Sequence, residues 1–291
     1  MSISPKIKET VKLILKIGLS AAAIAFVISK IDLGQTWQLI SSAQWSYLIL
    51  ALAVYACSQM LSAMRLNSLF ATMPLELDTF MNMRLYWLGM FYNFFLPGGV
   101  GGDGYKVYYL RKHYGLHSKD LIKILLGDRI SGLVVICCYL FIFISFFIDD
   151  LPIPYRRWCI CLAPLALASY YTLIWIFKRD STSAFWKVVG YSFVVQGLQM
   201  ATACIVLLSL GETENWDEYM FLFFVSSIAS AIPVTLGGIG AREMAFVIGS
   251  EYLATNEAVA VSLSVVFYVV SLISSLPGLA FSLRPNWIEK I

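Results

Sequence analysis

Six apolar runs of about 20 residues constrain this chain more than any other feature of its sequence. A helix of about 20 residues crosses the hydrocarbon core of a bilayer. Only 13% of the 291 residues are charged, about half the share usual in soluble domains. The sequence therefore predicts an all-α, polytopic membrane protein with a single transmembrane domain over residues 1–291. The predicted spans are residues 13–31, 45–64, 122–148, 158–177, 188–210 and 258–283.

Two stretches outside these spans carry proline and glycine in the same order. They are FLPGGVGGD at residues 95–103 and IPVTLGGIGARE at residues 232–243, and each ends on an acid. Glycine adopts the unusual backbone angles of a tight turn, and proline ends a helix. Each stretch is therefore predicted to form a tip between two short helices. The predicted tip residues are Pro97, Gly98, Gly99, Gly101 and Gly102, and then Pro233, Gly237, Gly238 and Gly240.

Lysine and arginine predict the orientation of the spans, because both are enriched in cytoplasmic loops. Lysines at the start of the chain place the N-terminus in the cytoplasm, and six crossings return the C-terminus to the same side. The later loops agree only if each glycine stretch enters and leaves the membrane on one face. The sequence therefore predicts two re-entrant helical hairpins, at residues 79–114 from the cytoplasm and at residues 217–250 from outside.

The order span, span, hairpin, span then occurs twice, starting from opposite faces of the membrane. This order predicts an inverted 3+3 repeat, with repeat 1 at about residues 1–150 and repeat 2 at about residues 151–291. Many secondary transporters are built from such repeats, and their substrate sites lie where broken helices meet. The alternative is that the glycine motif recurs by chance in a glycine-tolerant membrane protein.

Five charged residues near the tips are predicted to bind a lipid headgroup or to couple transport. Charged groups inside a membrane usually face a cavity, and a helix N-terminus favours an anion. Helix capping is the alternative role for the two acids, and snorkelling to the cytoplasm is the alternative for the arginine of the third span. The five residues are Asp103, Lys106, Arg129, Arg242 and Glu243.

Other polar residues are assigned no site. Arg65 and Asp128 are placed near the inner surface, where headgroup contact needs no special pocket. His113 and His117 lack a third ligand nearby, and the cysteines show no metal-binding spacing. We therefore expect no metal and no cofactor. The sequence also has no nucleotide-binding glycine loop, so a gradient would supply any energy, with Asp103 and Glu243 as the candidates for proton coupling.

Three segments together resemble the lysylphosphatidylglycerol synthase transmembrane-region family, which includes the flippase domain of the multiple peptide resistance factor. They are FLPGGVGGD, LLGDRISGL at residues 125–133 and LGGIGAREMAF at residues 236–246. The resemblance covers essentially the whole chain and implies translocation of a lipid with a polar, often phosphate-bearing headgroup. Asp103, Arg129 and Glu243 match the charged positions of the family motifs. The aminoacyl-transferring members carry a soluble catalytic domain after the membrane region, so that activity is not expected of a sequence ending at Ile291.

The sequence thus predicts a flippase of the bacterial inner membrane, and not an enzyme. Its expected substrate is a phospholipid or a polyprenyl-phosphate-linked glycan. Two alternatives stay open: a membrane-embedded polyprenyl-phosphate transferase, and a non-catalytic subunit of a lipid or glycan synthase. Expected partners are membrane lipids, a separate synthase or glycosyltransferase and a second copy of the chain in a homodimer, but not nucleic acid.

Overall fold

A computed structural model describes residues 33–75, 77–95, 100–146, 153–231 and 240–283, together with residues 25 and 28. These residues form helices and turns without a strand, so the all-α class is confirmed for this part of the chain. A 3-10 helix at Arg179–Ala184 joins the helix that ends at Phe177 to the helix that begins at Phe185. The helices are α1 Leu33–Ser41, α2 Trp45–Phe70, α3 Thr79–Phe95, α4 Gly101–Tyr114, α5 Ser118–Phe146, α6 Ile153–Phe177, α7 Phe185–Ser209, α8 Trp216–Ala231, α9 Ala241–Leu253, α10 Glu257–Ser275 and α11 Pro277–Leu283.

Within the described part of the chain, five helical segments are long and apolar enough to cross a membrane, and each overlaps a predicted span. Large apolar side chains such as Ile49, Leu165 and Ile176 remain exposed on them, as expected of surfaces that contact lipid. The prediction for residues 13–31 lies outside the described residues. The five segments are Trp45–Phe70, Ser118–Phe146, Trp158–Phe177, Arg179–Ser209 and Glu257–Leu283.

Several predicted boundaries differ from the structure, and two of the differences have a cause in the sequence. α2 continues beyond the predicted end at residue 64 to Phe70, because its polar residues after the apolar run still form regular helix. The predicted span at residues 258–283 consists of two helices, α10 and α11, which meet at Leu276. Pro277 has no backbone N–H to donate to the preceding turn, so it begins a new helix.

Each glycine stretch separates two helices that pack against each other, α3 with α4 and α8 with α9. The tip residues Pro97, Gly98 and Gly99 fall at residues 96–99, outside the described residues. The same applies to Pro233, Gly237 and Gly238, which fall at residues 232–239. The structure therefore shows the packed helices on either side of each glycine stretch. Of the predicted tip residues, it shows Gly101, Gly102 and Gly240.

Close helix contacts through small residues hold the centre of the molecule together. α2 and α7 share the most extensive interface between any two of the described helices, and Ala51, Ala63 and Ala203 on them are fully buried. At another contact, a Cβ atom placed on Gly278 of α11 would lie 2.9 Å from the Trp87 carbonyl carbon of α3. Small residues allow such close backbone approach in membrane proteins. The interior is thus built by backbone proximity as well as by large apolar side chains.

Candidate functional site

The start of α4 is fixed against α3 by a pair of glycines. A Cβ atom on Gly102 would lie 2.5 Å from the Gly89 carbonyl carbon and 2.7 Å from its Cα atom. No side chain fits at that distance, so the two backbones touch. The side-chain oxygen of Asn93 also accepts a hydrogen bond from the Gly102 N–H at 2.9 Å. These contacts place the next residue, Asp103, at a defined position beside α5.

Asp103 is shared between two cations. Arg129 of α5 donates from its Nε to Asp103 Oδ2 at 2.6 Å, and the Lys106 Nζ lies 3.3 Å from Oδ1. Lys106 also lies over the Tyr86 ring, 4.6 Å from its centroid. The Lys106 side chain is only 6% exposed, whereas that of Arg129 is 39% exposed. Two nearby positive charges favour the ionised carboxylate, and only Arg129 faces widely outward.

A cavity of about 510 Å³ lies beside this cluster, between α4 and α5. Ala231, the last residue of α8, also lines it, so the cavity reaches the helix that precedes the second glycine stretch. Among its described lining residues, only Asp103 and Arg129 carry charge. The remaining wall is apolar and includes Val100, Val107, Leu126 and Leu133. The cavity therefore combines one exposed guanidinium group with a surface suited to hydrocarbon.

Glu243, the acid of the second glycine stretch, caps its own helix. Its Oε2 accepts the N–H of Gly240 at 2.7 Å, and its Oε1 accepts the hydroxyl of Ser264 from α10 at 3.0 Å. Gly240 has a φ of 86°, a region that favours glycine. The capping role that the sequence left open for Glu243 is thus formed, and the acid also ties α9 to α10.

Arg242 and Glu243 lie away from the cavity that Arg129 lines. The Arg242 guanidinium sits 4.9 Å from the centroid of the Phe267 ring, and its buried Nε has no hydrogen-bond partner among the residues that the structure describes. The structure thus brings together Asp103, Lys106 and Arg129 of the five predicted site residues. Arg242 and Glu243 face α10 instead.

The chain matches the family described as "Lysylphosphatidylglycerol synthase TM region" over residues 13–182 and 176–278. The chain belongs to this family. Together the two matched segments contain both glycine stretches and all five predicted site residues. Among curated proteins, none matches the chain.

In this member of the lysylphosphatidylglycerol synthase transmembrane-region family, a second ion pair lies deeper in the bundle. Arg65 donates from its Nε and Nη2 atoms to Asp128, at 2.8 and 3.1 Å, and from Nη1 to Ser192 at 3.1 Å. Both charged residues are buried. Arg65 therefore contacts Asp128 and Ser192 inside the protein, because α2 extends beyond its apolar run and packs Arg65 among its neighbours. The pair links α2, α5 and α7.

The sequence carried a signal for this second pair. A charge inside a membrane helix is costly, so Asp128 within an apolar helix calls for a partner. Arg65 carries the opposite charge on a neighbouring helix. Its burial in the protein could be judged only once the true end of α2 was known.

Proposed function

We propose that this protein moves a phosphate-bearing lipid, either a phospholipid or a polyprenyl-phosphate-linked glycan, between membrane leaflets and catalyses no reaction. The observation that carries the proposal is the cavity between α4 and α5, where an apolar wall meets Asp103 and Arg129. Hydrocarbon chains suit the apolar wall, and the planar guanidinium group of an arginine suits phosphate oxygens. Membership of a family of lipid-related membrane domains supports this assignment.

The ion-pair cluster can exchange partners at low cost. Asp103, Lys106 and Arg129 together carry one net positive charge, from two cations and one carboxylate. When Arg129 turns to a phosphate, Asp103 keeps its pair with buried Lys106. An uncompensated buried charge is strongly destabilising, so the second cation makes the transfer of Arg129 to a headgroup feasible. We therefore assign Asp103 to this exchange and not to carrying a proton.

The helix packing supports the inverted repeat as part of this proposal. α5 packs on α7 and α8, whereas α10 packs on α2 and α3. In an inverted repeat, a pseudo-two-fold axis would exchange α2 with α7, α3 with α8 and α5 with α10. This exchange converts the contacts of α5 with α7 and α8 into the contacts of α10 with α2 and α3. On this reading α3–α4 and α8–α9 are re-entrant hairpins, and both termini face the cytoplasm of a bacterial inner membrane.

Leaflet exchange in vesicles tests the proposed function. The purified protein is reconstituted in liposomes that contain fluorescent phosphatidylglycerol, and a membrane-impermeant quencher reports the rate of exchange. Arg129→Gln should slow exchange about tenfold or more, because the charge-assisted contact to phosphate is lost. Arg129→Lys should retain part of the rate, since lysine keeps the positive charge but cannot donate two parallel hydrogen bonds to phosphate as a guanidinium group does.

Lys187 provides the matched control. It is exposed on α7 and lines neither the cavity beside Arg129 nor a second cavity between α5 and α6. Lys187→Gln should exchange lipid at the wild-type rate. An Arg129→Gln protein that exchanges lipid as fast as Lys187→Gln would show that this cavity does not hold the headgroup.

A further inference from the structure

A second cavity, of about 230 Å³, lies between α5, α6 and the 3-10 helix. Its walls are apolar and include Ile124 and Leu126 of α5 and Leu173 and Phe177 of α6. Leu126 is 52% exposed and Phe177 is 58% exposed, so the groove opens on the outside of the helix bundle. Because α5 and α6 are both long and apolar enough to span a membrane, that outside would face lipid.

This α5–α6 groove is separate from the cavity beside Arg129. The two share Leu126 and Ile130 as a common wall. Among the described residues, those of α6 line only the α5–α6 groove, and those of α4 line only the other cavity. A molecule in the groove would therefore contact α6 and leave Asp103 untouched.

Two lysines give one end of the groove a positive charge. Lys123 of α5 is exposed, and Lys178 follows the last residue of α6. Asp180 lies 3.5 Å from Lys178, but its side chain is 75% exposed. Such exposed pairs contribute little, so Lys178 can turn to another anion. Basic pockets between spanning helices bind the headgroups of anionic lipids.

We propose that the α5–α6 groove binds an anionic glycerophospholipid. Its phosphate lies between Lys123 and Lys178, and one acyl chain lies along Leu126, Leu173 and Phe177. The charge at one end and the apolar walls elsewhere require an amphiphile with a negative head. A zwitterionic lipid carries a compensating cation that two lysines repel. The site is occupied whether or not the protein transports lipid, so the two proposals stand or fall separately.

Photo-crosslinking reads out this site directly. The full-length protein in detergent micelles is incubated with phosphatidylglycerol that carries a diazirine in its acyl chain, irradiated and digested, and the crosslinked peptides are mapped. Crosslinks should fall in α6 at residues 173–177. Unlabelled phosphatidylglycerol should compete for them, and phosphatidylcholine should not. Equal competition by both lipids would indicate ordinary boundary lipid and would overturn the proposal.

Gly127 allows the groove to be filled without disturbing the fold. A Cβ atom at Gly127, which lines the groove, meets no other atom within 4 Å. Gly127→Leu should lower α6 crosslinking about fivefold or more, because the new side chain takes the place of the acyl chain and its contacts. Gly190→Leu is the matched control, since Gly190 is equally open but lies on α7 away from both cavities.

The lysines are tested by the same readout. Lys123→Gln combined with Lys178→Gln should remove the preference for phosphatidylglycerol over phosphatidylcholine, whereas Lys187→Gln should keep it. Unchanged α6 crosslinking in Gly127→Leu, or an unchanged preference in the double variant, would contradict the proposal. Crosslinks to α4 report the other cavity. A wild-type protein that exchanges no lipid between leaflets but still forms the α6 crosslinks would therefore count against the proposed function and not against the α5–α6 groove.

Discussion

The starts of α4 and α9 follow equivalent glycine stretches, but their acids have different partners. Asp103 and Glu243 are each the third residue of their helix. Asp103 binds two cations, one from its own helix and one from the following span. Glu243 binds a backbone N–H and a serine hydroxyl from the following span. The same sequence position thus produces an ion-pair cluster in one half and a helix cap in the other.

The residues around the acids differ in the same direction. The second residue of the helix is Gly102 in α4 and Arg242 in α9, and the sixth is Lys106 in α4 and Phe246 in α9. Glycine lets α4 touch α3, and lysine then supplies a buried charge to the acid. Phe246 is fully buried and supplies packing alone. The first acid is therefore surrounded by paired charges, and the second by a helix cap and apolar packing.

The largest difference between the halves should appear on removal of Asp103. Asp103→Asn leaves Lys106 buried without its counter-ion, and loss of one partner of a buried pair costs about 3 kcal/mol or more. Thermal unfolding in detergent micelles should show a clearly lower midpoint. Asp180→Asn, at an exposed carboxylate, should leave the midpoint unchanged. A loss for Asp103→Asn as small as that of Asp180→Asn would mean that the cluster contributes little.

Gly102→Ala should have the next largest effect. Its Cβ atom would fall on the Gly89 backbone, and forced overpacking of this kind costs about 2 kcal/mol. Gly104→Ala, two residues further along the same helix, meets no atom within 4 Å. That change should raise stability by about 0.5 kcal/mol, because alanine favours helix over glycine. Equal midpoints for the two variants would argue against the α3–α4 backbone contact.

A smaller effect is expected at the second acid. Glu243→Gln keeps a side-chain oxygen for the Gly240 N–H but loses the negative charge at the start of α9. Charges at helix N-termini contribute about 0.5 kcal/mol, so the loss should be far below that of Asp103→Asn. Unfolding measured in the same micelles compares the two directly. Similar losses of stability in Glu243→Gln and Asp103→Asn would contradict the proposed difference between the two acids.

The smallest effect on stability should come from Arg129→Gln. Its side chain is 39% exposed, and Asp103 keeps Lys106, so the loss should stay below about 0.5 kcal/mol. Combining it with Glu243→Gln should give the sum of the two single effects, since Arg129 pairs with Asp103 whereas Glu243 pairs with Gly240 and Ser264. A double variant more stable than Arg129→Gln alone would reveal a coupling between the two residues.

Much of the helix pattern was predictable because lipid imposes a simple requirement. A spanning helix needs a long apolar run, and the run alone located the segment at residues 158–177, which lies within the helix Ile153–Phe177. The packing of that helix was not predictable. The pairing of Arg65 with Asp128 joins residues 63 positions apart and depends on how α2 and α5 pack.

Of the five residues predicted for one site, the structure brings three together, and their partners were not predictable. Asp103 and Arg129 were identified by their cost in a membrane, and the structure places them in contact. The roles of the two acids could not be separated from sequence, because both follow the same motif. Their difference comes from the next span, which offers an arginine to Asp103 and Ser264 to Glu243.

The glycine contacts of α3 also have a mechanical consequence. Gly102 of α4 and Gly278 of α11 both approach its backbone. Interlocking side-chain ridges normally fix the register of packed helices, and at these two points backbone proximity takes their place. Hydrogen bonds then set the register of α3. Asn93 accepts from the Gly102 N–H at 2.9 Å, and the Tyr92 and Ser282 hydroxyls lie 3.0 Å apart. Two polar side chains of α3 thus hold it in register with α4 on one side and α11 on the other.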